Sequence, residues 1–219
     1  MRIGILGSGE VGRTLGTGFV SRGDQVMIGS REPNSTDLTK WKSDVGGRGS
    51  TGSFSGAAQF GDLLVLAVLG QAAESVLEIA GPDHFSGKVV IDTTNALDFS
   101  KGMPPGLFTD GRRSLSERIQ GKVPKAKVVK CFNTVPNVLM VHPSTEGGTP
   151  DMLICGDDAA AKAQVVEILH SLGWPRVIDV GGLSEAVWLE AWVPLWVRIG
   201  NALGRYDIAP KIVASRSDP

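Results

Sequence analysis

The chain has few of the side chains from which most reaction centres are built: its 219 residues include two cysteines, three histidines and a single tyrosine. Cys131 and Cys155 lie far apart without Cys-x-x-Cys spacing, which argues against a redox dithiol or a zinc site and points to reduced thiols. His84, His142 and His170 fall in unrelated segments without ligand spacing, so no metal is indicated and they read as surface or helix-end residues. Tyr206 has no Tyr-x-x-x-Lys partner. An excess of one charge is also missing. With 22 Lys+Arg against 23 Asp+Glu, the formal net charge is −1, and no overall field draws in nucleic acid or an anionic membrane. The longest apolar run, Ala186 to Leu203, is interrupted by Glu190, Pro194 and Arg198 and fails as a spanning helix. The opening Met-Arg-Ile-Gly-Ile-Leu-Gly is shorter than a signal-peptide core. A cytoplasmic protein with neither nucleic-acid nor membrane partners is expected.

What is present is a regular alternation. Strand-like runs at Arg2 to Leu6, Gln25 to Gly29, Leu63 to Val68, Lys88 to Asp92, Lys127 to Phe132, Met152 to Cys155 and Arg176 to Val180 are bounded by turn residues. Several lack polar alternation, as parallel strands buried on both faces do. Helical patterns reach Arg22 and recur at Gln71 to Ala80, Arg113 to Gln120 and Asp158 to Leu172, the last opening on an Asp-Asp pair suited to an N-cap. The pattern predicts an α/β fold, a Rossmann-type doubly wound and mostly parallel sheet, with a small C-terminal helical domain. The expected division is a nucleotide-binding unit over 1–145 and a smaller unit over 146–219. Ser43 to Ser55 and Phe99 to Arg112, rich in Gly, Ser, Thr and Pro, read as surface loops, the second long enough for a mobile lid.

Gly7-Ser8-Gly9-Glu10-Val11-Gly12 fits G-x-G-x-x-G. The pattern is weak alone, but here it follows a strand and opens a helix within a βαβ unit, the arrangement that sets a pyrophosphate over a helix N-terminus. Gly7 suits the tight turn, Gly9 the approach of the phosphates and Gly12 close packing of helix on strand. NAD-binding versions carry an acid roughly 20 residues on for the ribose 2′-OH. This chain instead ends its second strand in Ile28-Gly29-Ser30-Arg31, a hydroxyl and a guanidinium suited to a 2′-phosphate, with Glu32 next. NADP(H) is the expected dinucleotide.

Ligands in open α/β sheets lie beyond the carboxyl ends of the strands. The segments there are Ala67-Val68-Leu69-Gly70-Gln71, Asp92-Thr93-Thr94-Asn95 and Phe132-Asn133-Thr134-Val135-Pro136. They offer amides and hydroxyls but, Asp92 apart, no ionisable group, and no Lys, His or Tyr is expected at a comparable place. Oxidation of an alcohol normally needs a positioned acid or base. Trp188, Trp192 and Trp196 recur every fourth residue on one helix face, and the apolar neighbours all round predict a buried helix, covered by the chain's own sheet, by a second subunit or by a flat ring system.

With these segments in view, the chain resembles the NADP oxidoreductases that use the deazaflavin coenzyme F420 and their relatives, including the cytosolic domain of the STEAP metalloreductases. The resemblance rests on Arg2 to Gly12, Gly29-Ser-Arg31, Lys130-Cys-Phe-Asn-Thr-Val135, Cys155-Gly-Asp-Asp158, Leu172-Gly-Trp174, Asp179-Val-Gly-Gly-Leu183, Glu190 and Leu203-Gly-Arg-Tyr-Asp-Ile-Ala-Pro-Lys211. It implies a homodimer in which a hydride passes between NADP(H) and a deazaflavin (coenzyme F420) or a flavin (FMN or FAD). By position, Ser8, Glu10 and Val11 would contact the pyrophosphate, Ser30 and Arg31 the 2′-phosphate, and Val68, Leu69, Asn133 and Thr134 the nicotinamide side, with Asn95 in the same crevice. Ring-to-ring hydride transfer needs orientation more than acid–base chemistry. Two departures from the archaeal pattern, Val68-Leu69 for Ile-Pro and Asn133-Thr-Val-Pro136 for a His-Thr-Ile-Pro type segment, fall where the second ring would lie. The alternatives are an NADPH-dependent reductase of a small imine or hydroxy acid, related to pyrroline-5-carboxylate reductase or hydroxyisobutyrate dehydrogenase, and a non-catalytic NADP-sensing module. The helix from Ala186 carries Glu185, Glu190 and Arg198 in its neighbourhood but not the catalytic lysine usual in the hydroxyisobutyrate enzymes.

Overall fold

The computed structural model describes residues 1–214. Strands β1 (Arg2–Leu6) and β2 (Gln25–Gly29) flank helix α1 (Glu10–Ser21), the expected βαβ opening. Helix α2 (Thr36–Val45), strand β3 (Gly49–Gly52) and helix α3 (Phe54–Phe60) follow, then β4 (Leu63–Leu66), α4 (Ala73–Ala80) and β5 (Val89–Asp92). A two-stranded ribbon of β6 (Leu97–Asp98) and β7 (Gly106–Leu107) precedes α5 (Leu115–Lys122) and β8 (Lys127–Lys130). The chain closes with β9 (Met152–Gly156), α6 (Ala159–Ser171), β10 (Val177–Asp179) and α7 (Ala186–Leu203).

The main sheet has eight strands in the order β10-β9-β8-β5-β4-β1-β2-β3. All neighbours are parallel except β8 and β9, where Lys130 stands opposite Cys155. Beyond residue 145, β9 and β10 prolong the same sheet while α6 and α7 make up most of the remaining helix. Strand order reverses between β1, whose next strand lies on one side, and β4, which pairs on the other. In open α/β sheets the ligand crevice lies at such a switch point, beyond the strands' carboxyl ends.

Both sheet faces are covered, as the unbroken apolar strands require. Ile3, Ile5, Ile28, Val65 and Val129 pack with Leu15, Phe19 and Trp174 on one face. Leu6, Leu64, Leu66, Val90 and Val128 pack with Leu77, Phe85 and Ile119 on the other. Cys131 and Cys155 are free and buried. Burial pushes both thiols up, Cys155 to about 12, so neither is a nucleophile near neutral pH.

Three expectations need correction. The Ser43 to Ser55 stretch is not simply a loop: Gly49–Gly52 pairs in parallel with β2 as the sheet's edge strand. Only one neighbour and little burial are needed there, so backbone hydrogen bonds suffice without an apolar side-chain pattern. Within Phe99 to Arg112, Gly106–Leu107 returns to pair with Leu97–Asp98. Helix α7 is not buried all round: Ala186, Val187, Leu189, Glu190, Val193, Val197 and Gly200 face inward, whereas Trp188 is 70% exposed. Leu195 and Leu203 are exposed as well. Among the described residues no helix is long and apolar enough to cross a membrane.

Candidate functional site

The fingerprint forms the turn from β1 into α1. Gly7 has φ +130°, a conformation L side chains rarely adopt, and a Cβ there would lie 2.0 Å from the Ala67 carbonyl oxygen. A Cβ on Gly12 would lie 2.1 Å from the Gly7 carbonyl oxygen, so α1 closes on the loop only with hydrogen at that position. At Gly9 nothing lies within 4 Å of such a Cβ. The turn is therefore tight below and open above, a cradle whose exposed side suits a pyrophosphate at the N-terminus of a twelve-residue helix. Glu10 opens that helix, and its carboxylate accepts from Asn137 Nδ2 at 3.4 Å. Val11 beside it is half-buried and packs on the core.

Register puts Gly29 beside Leu6, so Ser30 is the first residue past β2. Its hydroxyl lies 3.1 Å from Ser8 Oγ and accepts from the Glu32 amide at 3.1 Å. Ser30 is buried and Arg31 beside it is exposed, with no hydrogen bond or ion pair on its guanidinium among the described residues. Arg13 lay outside the sequence-based set. Its guanidinium donates to the Ser8 carbonyl at 2.6 Å and pairs with Asp37 at 3.2 Å, bracing the fingerprint against α2. A cation in a helix's first turn opposes the dipole, and that misfit was the available signal.

The later strand ends converge on the same crevice. A Cβ on Gly7 would be 3.1 Å from Val68 Cγ1, and one on Gly70 would be 2.0 Å from the Asn95 carbonyl oxygen. Leu69 between them is 77% exposed, an apolar side chain facing open space. Asn133 Nδ2 donates to Asn95 Oδ1 at 2.9 Å and to the Leu189 carbonyl at 2.8 Å. The Asn133 side-chain oxygen and the Thr134 hydroxyl are buried with no partner among the described residues, an unusual condition for polar atoms. Just before them Phe132 is in the left-handed region at φ +65° with its ring buried. Such strain, typically about 1–3 kcal/mol, persists where the surroundings over-determine it and clusters at functional sites.

The expectation that no lysine stands at a strand end is overturned. Lys130 ends β8 beside Asp92, the last residue of β5, and is fully buried. Its ammonium donates to the Thr94 carbonyl at 2.5 Å, to Asp92 Oδ2 at 3.0 Å and to Glu190 Oε1 at 3.3 Å. Burial works to lower its pKa, but Asp92 and Glu190 outweigh that and hold it raised. Asp92 also accepts from the Thr94 amide and hydroxyl and from Ser116 Oγ. The three charged groups are closed to solvent and engaged with one another, so they offer no proton to a ligand in the crevice.

The donor set fits a phosphorylated dinucleotide. The open glycine cradle suits the pyrophosphate, Ser30 and Arg31 suit a 2′-phosphate, and the unpartnered Asn133 and Thr134 oxygens suit the carboxamide end. Comparison with known proteins agrees with this geometry. The model of the family described as NADP oxidoreductase coenzyme F420-dependent matches residues 2–96. The chain is 29% identical over 203 residues to the metalloreductase STEAP3 of Rattus norvegicus, covering 89% of this chain but only 36% of that longer protein. It is 27% identical over 206 residues to the F420-dependent NADP reductase of Methanocaldococcus jannaschii, covering 90% of this chain and 91% of the relative. A crystal structure from Arthrobacter sp. FB24, described as a candidate F420-dependent NADP reductase, superposes with a TM-score of 0.93 at 38% identity, over 98% of this chain and all of that one. Identity of that level across the whole Arthrobacter protein, together with this chain's own fingerprint and doubly wound sheet, shows that this chain belongs to the coenzyme F420-dependent NADP oxidoreductase family and is an NADP(H)-dependent oxidoreductase.

Proposed function

We propose that this protein transfers a hydride between NADP(H) and a second redox ring bound in the same crevice, coenzyme F420 or a flavin. The observation that carries the reading is the character of the strand ends. The ionisable groups there, Asp92 and Lys130, are buried and paired with each other and with Glu190 of α7, while the more open groups are the amide Asn95 and the apolar Val68 and Leu69. Such a surface orients a flat ring and excludes water, which is what hydride transfer between rings requires. NADP(H), when bound, supplies or accepts the hydride. Gly7 to Gly12 hold its pyrophosphate, Ser30 and Arg31 its 2′-phosphate, and Asn133 accepts from its carboxamide.

The test is NADPH oxidation followed with coenzyme F420, FMN, FAD and a cyclic imine offered separately. Turnover with one of the ring acceptors, and little with the imine, is expected. Turnover with the imine alone would sink the proposal.

The exposed face of α7 supports a second element of the reading, a homodimer. Trp188, Leu195 and Leu203 lie on a helix stripe that Trp192 and Ile199 continue, and an apolar stripe of this kind is a usual subunit contact. Light scattering at tens of micromolar should give the mass of two chains. The double change Trp188→Glu with Leu195→Glu should give one, and a monomeric parent would refute the assembly.

A further inference from the structure

An apolar residue would fill the place of Glu190 with less difficulty. The position lies on the inward face of α7 among Val187, Leu189, Val193 and Val197, and its carboxylate is fully closed to solvent. A buried carboxylate is costly and is retained where it is multiply bonded. Glu190 Oε2 accepts from the Leu115 amide at 3.0 Å, and Oε1 accepts from the Ser116 amide at 3.2 Å and from Lys130 at 3.3 Å. One side chain thus ties α7 to the N-terminus of α5, where the dipole favours an anion, and to the end of β8.

The same turn of α7 grips both loops at the crevice. Leu189 receives Asn133 Nδ2 on its carbonyl, and Trp192 Nε1 donates to the Thr134 carbonyl at 2.9 Å. Lys130, held by Glu190, donates to the carbonyl of Thr94, the residue before Asn95. Both amide hydrogens of Asn133 are therefore committed, to Asn95 Oδ1 and Leu189 O. That fixes the amide with its oxygen as the free acceptor, beside a Phe132 backbone that must be held against strain.

We propose that Glu190 is a positioning residue for the nicotinamide end of the NADP(H) site, acting through Lys130 and the α7 backbone on the Asn95–Asn133 pair. The inference rests on the proposed placement of the dinucleotide, with the carboxamide against Asn133. Glu190 does not touch the ligand. Its effect is to keep α7, β5 and β8 in one register, so that the Asn95–Asn133 pair is held in a single arrangement at the carboxamide end.

The experiment compares two ligands by calorimetry: NADPH, and 2′-phospho-ADP-ribose, which keeps the adenosine and pyrophosphate groups but lacks the nicotinamide. The parent protein should bind NADPH more tightly than the fragment. Glu190→Gln places an amide N–H₂ where only an acceptor fits; it should leave the fragment's affinity within about twofold and reduce NADPH's advantage about tenfold, the scale of one hydrogen bond. The fluorescence enhancement of the bound reduced nicotinamide should fall with it. A variant that melts earlier yet keeps the parent ratio of affinities would overturn the proposal, as would equal weakening of both ligands. If Glu190→Gln does not fold, the same ratio is measured in Ser116→Ala, which removes one hydroxyl and keeps every charge; a several-fold loss is expected and an unchanged ratio refutes the idea. Parent protein that binds neither ligand would instead bring down the dinucleotide reading itself.

Discussion

Replacing Lys130 with methionine is expected to destabilise the folded protein at neutral pH by about 3–5 kcal/mol, because it strands two buried carboxylates without their cation. Methionine matches the volume of the lysine stem, so little of the loss comes from packing. Asp92 and Glu190 keep bonds from the Thr94, Leu115 and Ser116 groups, which places the loss toward the lower end of that range. The sign of the pH dependence follows from linkage. In the parent, Lys130 has a raised pKa in the folded state, so its stabilisation is complete below the usual lysine range and is lost only as pH rises through the folded value. In the variant, two carboxylates are buried together without a cation, an arrangement that favours uptake of a proton by the folded protein. Folded protein then holds protons that unfolded protein has released, and the deficit relative to the parent grows as pH rises from about 4 and shrinks on acidification. Urea unfolding of both proteins at pH 5 and pH 7.5 measures it. A deficit below about 1 kcal/mol at the higher pH, or one that does not shrink at the lower, would show that the cluster is not an ion pair as described.

That cluster marks the limit of what could be read along the chain. The fingerprint was legible because its constraints are local: the turn at Gly7 and the contact at Gly12 involve residues five apart, and only glycine meets both. The buried parallel strands were legible for a similar reason, since a run such as Leu63 to Leu66 has no solvent face to encode. Gly49–Gly52 carried no such signal, because an edge strand with one buried residue needs only backbone groups to pair. Helix α2 buries just Leu38 and Trp41, too few for a periodic pattern to stand out. Lys130 looked like an ordinary polar residue in a strand, and its partners lie 38 and 60 positions away. A long ammonium side chain can turn inward only when the fold brings two carboxylates to it, and no local spacing records that. The α7 pattern was apolar on every face, but periodicity cannot tell a face covered by the chain's own sheet from one left for another surface. Trp188 belongs to the second kind and Leu189, one residue on, to the first.

Changing Arg31 to aspartate should raise the dissociation constant for NADPH by about two orders of magnitude and leave that for NADH within a few-fold or improve it. The reasoning begins with register. Leu6 pairs with Gly29, so the residues after β2 emerge beside the fingerprint, and Ser30 Oγ is fixed there by Ser8 and by the Glu32 amide. A 2′-phosphate seated on that hydroxyl lies within reach of the next side chain, and Arg31 is exposed and free to turn onto it. Loss of a charge-assisted hydrogen bond costs about 1.5–3 kcal/mol, and an aspartate facing the phosphate adds repulsion. Each 1.4 kcal/mol is a factor of ten. NADH has a 2′-hydroxyl in place of the phosphate, and the introduced carboxylate can accept a hydrogen bond from it, the arrangement that selects NAD in other proteins of this fold. Glu32 serves as the control. It is exposed, and its backbone amide rather than its carboxylate is what organises Ser30, so Glu32→Gln should leave the ratio of NADPH to NADH affinity unchanged. Calorimetric titration of both nucleotides into the parent and the two variants decides the matter. Unchanged NADPH affinity in Arg31→Asp would place the 2′-phosphate away from the end of β2, with Arg13, which holds the Ser8 carbonyl, the next guanidinium to test.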